Sequence, residues 1–277
     1  MMHDLQPSFL PGVPKLAYDR LGDGPPLVFL HGIGGNRFQW RDQLLDLGDH
    51  YTAISWDARG YGASEDYEGD LSFGDFSADL LRLLDHLNID KAHLVGLSMG
   101  ARILLDFAPQ NLSRIATLTL CDFFYGFDES LTDEKRAEFI ALRQKPLLEG
   151  KSLSDLAPAL LESLLAPNPS EAIRQRMITS IQALHVESYL KTLAATVGYN
   201  RGANLEGLTV PVQMIYGEAD RLTPPSIGAD ALTKLPDARL DVIPGAGHLS
   251  NIEAPEAFTK ILAAFLSDHK TAADWRD

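Results

Sequence analysis

The sequence predicts an α/β fold: a mostly parallel central sheet flanked by helices, with a helical cap inserted into the chain. Short apolar runs alternate with helix-like segments up to residue 122 and again from about residue 208, and this alternation is typical of a parallel sheet. Residues 123–207 instead show a helical pattern with several prolines and no convincing strand. We therefore expect residues 1–122 and 208–277 to form the core and residues 123–207 to form the cap.

Composition limits the partners that the protein can have. The chain has 277 residues, 45% of them hydrophobic, and a formal net charge of -14, which argues against nucleic acid and anionic membranes as partners. No apolar run approaches the roughly 20 residues of a membrane span. The first residues lack the basic start and apolar middle of a secretion signal. We expect a cytoplasmic protein that acts on a small molecule; the sequence does not indicate an oligomeric state.

The single cysteine and the histidines do not indicate a metal site. Cys121 ends the apolar run Leu118–Cys121, so a buried strand position is expected for it. The eight histidines and the acids lack the clustering of metal ligands. We therefore expect neither a metal nor another cofactor.

The predicted core begins with two strands and a glycine-rich loop. Lys15–Arg20 alternates as an edge strand does, and Leu27–Leu30 is a continuous apolar run typical of a strand buried on both faces. The following His31–Gly35 lacks the Lys-Ser/Thr of a nucleotide-binding loop and the spacing of a dinucleotide fold. We interpret it as a loop that directs the backbone N–H of Ile33 toward an oxyanion, with a simple tight turn as the alternative.

A helix, a strand and a second helix follow. Phe38–Leu47 is amphipathic, Tyr51–Trp56 is strand-like, and Asp75–Leu87 carries leucines along one helix face. Asp57 and Arg59 flank the turn after the strand. We expect them to fix the shape of this loop rather than to take part in chemistry.

The next segment predicts a catalytic serine. Ala92–Val95 is a short apolar run, Gly96–Gly100 matches G-x-S-x-G, and Ala101–Phe107 has helical spacing. A strand that turns sharply into a helix places Ser98 at the helix N-terminus, where amides and the helix dipole stabilise negative charge. The N–H of Met99 would then be the second donor of the oxyanion hole. An ordinary glycine turn is the alternative.

An aromatic stretch follows the next predicted strand. Ile115–Cys121 is apolar and ends at Asp122, and Phe123–Phe127 is unusually aromatic for a linker. We predict Phe123 and Tyr125 as part of the wall of an apolar pocket, although packing within the cap explains the composition equally well.

Four arginines are candidates for binding a substrate carboxylate. Arg102 lies one helical turn after the predicted serine, and Arg143, Arg174 and Arg176 lie in the predicted cap. We retain Arg102 and Arg143 as predicted substrate-binding residues. Solvation, or pairing with one of the many acids, is the simpler alternative for each arginine.

The second part of the core supplies a base and an acid. Val210–Tyr216 predicts a strand before the loop Gly217–Asp220, and Pro225–Leu235 predicts a helix. Arg239–Ile243 predicts the last strand, before the loop Gly245–His248 and a helix over Pro255–Leu266.

Three loops of the predicted fold meet at one edge of the sheet and carry Ser98, Asp220 and His248. Open α/β sheets place their sites at this edge. A serine hydroxyl needs a base to take its proton, and an acidic partner would orient that base and stabilise its charged form. The chain order Ser, Asp, His is typical of one hydrolase fold and not of the two common serine-protease orders.

These features together resemble the α/β-hydrolase family over nearly the whole chain. Within the family, the chain is similar to 3-oxoadipate enol-lactonases, small carboxylesterases and hydrolases of ring-cleavage products. The resemblance makes Asp122 an alternative acid, because some members take the acid from the strand before the cap. Five ordered motifs carry the resemblance: His31–Gly35, Asp57–Ser64, Gly96–Gly100, Gly217–Asp220 and Gly245–His248.

The resemblance implies a hydrolase that cleaves a small ester or lactone through an acyl-enzyme on Ser98. A serine nucleophile excludes the aspartate-dependent haloalkane dehalogenases and epoxide hydrolases. Two alternatives stay open: a carbon–carbon bond hydrolase acting on a vinylogous diketone acid, and a non-catalytic binding protein on the same fold.

Overall fold

The computed structural model describes residues 6–126 and 132–269 of the chain. Phe127, and residues 1–5 on which the predicted absence of a secretion signal rests, lie outside these ranges. Eight strands of the described residues form one sheet: β1 (Ser8–Leu10), β2 (Leu16–Leu21), β3 (Pro26–Leu30), β4 (Thr52–Trp56), β5 (Ala92–Leu97), β6 (Ile115–Cys121), β7 (Val212–Gly217) and β8 (Ala238–Ile243). The α-helices are α1 (Arg41–Leu47), α2 (Phe73–His86), α3 (Met99–Asn111), α4 (Asp133–Leu148), α5 (Leu153–Leu164), α6 (Glu171–Gln182), α7 (Val186–Val197), α8 (Pro225–Leu232), α9 (Ser250–Glu253) and α10 (Pro255–Asp268).

The sheet has the strand order β1-β2-β4-β3-β5-β6-β7-β8. The pairs β1–β2 and β2–β4 are antiparallel, and the other neighbouring strands are parallel. Every residue of β5 and β7 is buried, and β3 and β6 are nearly so. This burial explains why these strands are continuous apolar runs rather than alternating ones. The prediction of a mostly parallel α/β sheet flanked by helices is confirmed, and Cys121 lies fully buried at the end of β6.

Helices between β6 and β7 make up most of the predicted cap. Its described residues, 123–126 and 132–207, contain α4 to α7 and contribute no strand to the sheet. The side chains of Thr132, Ser152 and Ser170 accept hydrogen bonds from backbone N–H groups in the first turns of α4, α5 and α6, which satisfies groups that a helix cannot pair internally. We call residues 132–207 the helical segment; its status as a separate cap stays a prediction.

The described helices also bear on the membrane question. None of them is both long enough and apolar enough to cross a bilayer.

Helix α1 packs against α10, and α2 packs against α3, over the sheet. The carboxyl ends of the parallel strands β3, β5, β7 and β8 lie at one edge of the sheet, and the loops that follow them carry the predicted site.

Candidate active site

Ser98 lies at a sharp turn between β5 and α3. Its backbone has φ 52° and ψ -106°, a conformation with positive φ that costs energy for a residue with a side chain. The turn is possible because its flanks are glycines: a Cβ on Gly96 would lie 2.4 Å from the carbonyl carbon of Gly100, and one on Gly100 would lie 2.2 Å from the Leu30 oxygen. The predicted serine thus has the strained strand-to-helix geometry that G-x-S-x-G requires.

His248 and Asp220 form a buried hydrogen-bonded pair. Nδ1 of His248 lies 2.8 Å from Oδ2 of Asp220, and both side chains are nearly inaccessible. Burial by itself would raise the pKa of Asp220, but the hydrogen bond and charge of His248, together with bonds from Thr223, outweigh it and lower this pKa. Asp220 is therefore ionised at neutral pH. It holds the Nδ1–H tautomer, which leaves a lone pair on Nε2.

Thr223 is a member of this cluster that the sequence analysis did not identify. Its hydroxyl lies 2.6 Å from Oδ2 of Asp220 and 3.0 Å from Nδ1 of His248, while the N–H groups of Leu222 and Thr223 donate to Oδ1 of Asp220. The carboxylate is thus fixed by four donors. An aspartate followed by a threonine three residues later is a local pattern that could have indicated this turn.

Asp122, the alternative acid, has other partners. It is fully buried with φ 43°, and its two carboxylate oxygens accept hydrogen bonds from the N–H of Gly217 and from the N–H and hydroxyl of Ser250. Burial and the nearby charge of Asp220 raise the pKa of Asp122. The structure therefore brings Asp220, rather than Asp122, to Nδ1 of His248, while Asp122 connects the end of β7 to the start of α9.

The glycine-rich loop after β3 lies directly beside Ser98. A Cβ built on Gly32 would lie 3.5 Å from the Cβ of Ser98. The N–H of Gly32 donates to Oε1 of Gln39 at 2.9 Å, a contact that the sequence analysis missed. Ile33 lines the same cavity as Ser98, and Met99 is the first residue of α3. Ile33 thus shares the cavity with Ser98, and Met99 follows Ser98 directly in the chain; their role as oxyanion donors stays a prediction.

His31 orients this loop and is not positioned as a base. It is fully buried, and burial lowers its pKa, so the ring is neutral. The N–H of Ala58 donates to Nε2 at 3.1 Å, which places the proton on Nδ1, and Nδ1 donates to the Gly32 carbonyl at 2.8 Å. His31 therefore links the loop after β3 to the loop after β4.

Asp57 and Arg59 have the structural contacts expected for them. Asp57 accepts hydrogen bonds from the backbone and guanidinium of Arg37, each at 2.6 Å, and from the N–H of Ala63 at 2.8 Å. Arg59 pairs with Asp79 at 2.6 Å. These bonds fix the loop after β4.

A cavity of about 270 Å³ opens onto Ser98 and His248. Phe124 lines it, whereas Phe123 and Tyr125 are not among its lining residues: Phe123 is buried against Tyr216, and Tyr125 binds Asp230 and Lys234. The side chains of Phe123, Phe124 and Tyr125 thus have different surroundings, which the aromatic composition of this stretch could not reveal. Most of the lining is apolar: Ile33, Leu97, Phe124, Leu160, Leu164, Met177, Ile181, Leu184, Tyr189, Leu193, Leu222, Ile227 and Leu249.

Two of the four candidate arginines line the cavity. Arg102 and Arg143 lie in its wall, and burial lowers the pKa of Arg143 and lowers that of Arg102 to about 10. Arg174 is exposed on α6. Arg176 pairs with Asp42 at 2.5 Å and donates to the Phe38 carbonyl, so it fastens α6 to the core rather than facing a ligand.

Glu253 joins the histidine loop to the helical segment. One carboxylate oxygen accepts from the N–H of Gly247 at 3.0 Å and of Leu249 at 3.4 Å, and the other accepts from the N–H of Ala166 at 2.8 Å. The N–H of His248 itself donates to the carbonyl of Leu164, the last residue of α5, at 2.8 Å. The position of the base thus depends on the helical segment.

Comparisons with known proteins agree with this fold. A family model described as the alpha/beta hydrolase fold matches residues 25–255. The 3-oxoadipate enol-lactonase 1 of Acinetobacter baylyi is 26% identical over 88% of this chain and 89% of its own. A 2-hydroxy-6-oxononadienedioate/2-hydroxy-6-oxononatrienedioate hydrolase of Paraburkholderia phymatum is 29% identical over 91% of each chain. A malate-bound structure of a thermophilic esterase from Thermogutta terrifontis superposes with a TM-score of 0.88 at 25% identity, covering 96% of this chain and 100% of the other.

Proposed function

The chain belongs to the α/β-hydrolase fold family, and from this membership we propose that it is a serine hydrolase that cleaves a small carboxylic ester or lactone. The observation that carries the proposal is the hydrogen-bonded pair of His248 and Asp220 on the same cavity as the strained Ser98. A nucleophile, a base and an ionised orienting acid are the groups that acyl transfer requires. The similarity to an enol-lactonase and to an esterase supports this class of substrate.

In the proposed first step, Oγ of Ser98 attacks the carbonyl carbon while its proton passes to Nε2 of His248. The N–H groups of Ile33 and Met99 stabilise the oxyanion of the tetrahedral intermediate. The carbonyl re-forms as the carbon–oxygen bond to the leaving group breaks, and the imidazolium gives its proton to the leaving oxygen. In a lactone this oxygen remains attached to the acyl chain.

In the second step, a water molecule gives its proton to His248 and attacks the acyl carbon. The serine then leaves and takes back the proton, which restores the free enzyme. The ionised Asp220 stabilises the imidazolium in both steps without itself taking the proton. We propose that residues 123–207 form a cap that shapes the cavity and thereby selects the substrate.

A carbon–carbon bond hydrolase is the second candidate, favoured by the similarity to the 2-hydroxy-6-oxononadienedioate hydrolase. Such a reaction would use the same serine and base but needs ketonisation of the substrate before cleavage. A single assay separates the two candidates: the protein and its Ser98→Ala variant are tested on p-nitrophenyl esters, enol-lactones and dienoic ring-cleavage products. We expect turnover of esters or lactones by the wild type, reduced at least about 1000-fold by Ser98→Ala. Turnover of the ring-cleavage products alone would overturn the ester assignment.

A further inference from the structure

Arg102 is a buried cation in the wall of the cavity. Its backbone N–H donates to the Ser98 carbonyl at 3.2 Å, so it lies one helical turn from the serine, and the residue is only 7% exposed. Its Nε and Nη1 atoms are buried and have no hydrogen-bond partner among the described residues. The rings of Phe124 and Tyr199 lie 4.5 and 5.7 Å from the guanidinium carbon. Within residues 6–126 and 132–269, no carboxylate forms an ion pair with it.

Two other arginines with little exposed side chain, Arg37 and Arg59, have counterions. Arg37 pairs with Asp19 and Asp57, and Arg59 pairs with Asp79. Burial lowers the pKa of Arg102 only to about 10, so its guanidinium remains charged at neutral pH. Aromatic rings offset part of the cost of burying that charge, but they do not satisfy its N–H donors. A ligand that carries hydrogen-bond acceptor atoms would satisfy these donors.

We propose that Arg102 is a carboxylate subsite, so that the preferred substrates are small esters or lactones that carry a second, free carboxylate. The inference rests on the proposed function, because it places this carboxylate relative to the ester that Ser98 attacks. Both side chains line the same cavity of about 270 Å³, so one small molecule can reach both groups. Apolar walls strengthen the attraction, since little water screens it.

The first test compares two esters that differ only in charge. Methyl hydrogen succinate and methyl succinamate present acyl chains of equal length that end in a carboxylate and in a neutral amide, and their hydrolysis is followed by chromatography of the products. We expect the ratio of their kcat/KM values to favour the anionic ester in the wild type and to fall about 10- to 100-fold in Arg102→Met, as loss of a charge-assisted hydrogen bond predicts. Arg174 is an exposed arginine of the same protein. Arg174→Met is therefore the matched control and should leave the ratio unchanged. An unchanged ratio in Arg102→Met would overturn the subsite.

The second test does not depend on turnover. Succinate is expected to raise the Tm of the Ser98→Ala protein, while neutral succinamide does not, and the rise should vanish in the double variant Ser98→Ala/Arg102→Met. Without ligand, Arg102→Met is expected to be at least as stable as the wild type, because an uncompensated buried charge is replaced by an apolar chain. A lower Tm would instead assign Arg102 a structural role.

The two tests separate this inference from the proposed function. If no ester is hydrolysed but succinate stabilises the protein through Arg102, the catalytic assignment fails and the carboxylate subsite stands. If neutral and anionic esters are hydrolysed alike and succinate gives no stabilisation, the subsite fails and the hydrolase stands. Should Arg102→Met not fold, competitive inhibition of the wild type by succinate against succinamide decides: equal inhibition overturns the subsite.

Discussion

At the scale of single residues, the proposed chemistry depends on contacts that restrict a residue to one conformation or one charge state. Ser98 has a positive φ in a turn so tight that positions 96 and 100 have no room for a side chain, and both are glycines. Asp220 receives four hydrogen bonds that favour its charged form. The sequence predicts these groups because the glycine pattern and chain order are local. It does not reveal Thr223 or Gln39, since their roles arise only when distant loops meet, nor that Phe124 rather than Phe123 faces the cavity.

The two candidate acids give a prediction at this scale. Asp220→Asn should lower kcat by about 10,000-fold, because an amide neither stabilises the imidazolium nor enforces the Nδ1–H tautomer. Asp122→Asn should cost far less, because burial raises the pKa of Asp122 and asparagine resembles its neutral form. Steady-state kinetics of both variants on one ester checks this, with Tm values as a control for folding. The reverse order of activity losses would make Asp122 the acid.

At the scale of elements, the parallel strands were the most predictable part of the fold. The apolar runs of β3, β5 and β6 are continuous because both faces are buried, and β6 has the bounds Ile115–Cys121 that its sequence predicts. The strand β1 and the helix α9 have only three and four residues, too few to show a period. Prolines were poor indicators of helix ends here, since Pro146 and Pro158 lie inside α4 and α5.

The contact between the histidine loop and the helical segment gives the prediction for this scale. Glu253→Ala removes the acceptor of three N–H groups, including that of Ala166, and should cost about 1–3 kcal/mol of unfolding free energy. It should also lower kcat by about 10- to 100-fold, because His248 loses its position. The exposed Glu256→Ala on α10 is the matched control. Denaturant unfolding and kinetics together check this; a loss of stability with unchanged kcat would show that Glu253 does not position the base.

At the scale of the whole molecule, function depends on one edge of one sheet. The glycine-rich loop after β3, Ser98 after β5 and His248 after β8 line the same cavity, and the loop after β7 brings Asp220 to His248. The sequence predicts this convergence, because parallel strands end at a common edge. It does not predict the substrate, because helices α4 to α7 and Arg102 all contribute to the cavity wall, and these parts are distant from one another in the chain.

The central claim is that Ser98 is an activated nucleophile, and covalent labelling tests it most directly. The protein is incubated with a fluorophosphonate probe, and its intact mass and modified peptide are determined for the wild type, Ser98→Ala and Asp220→Asn. We expect one adduct per chain on Ser98, none in Ser98→Ala, and strongly slowed labelling in Asp220→Asn. A folded wild type that takes up no probe, or an adduct that persists in Ser98→Ala, would contradict the account and favour a non-catalytic binding protein.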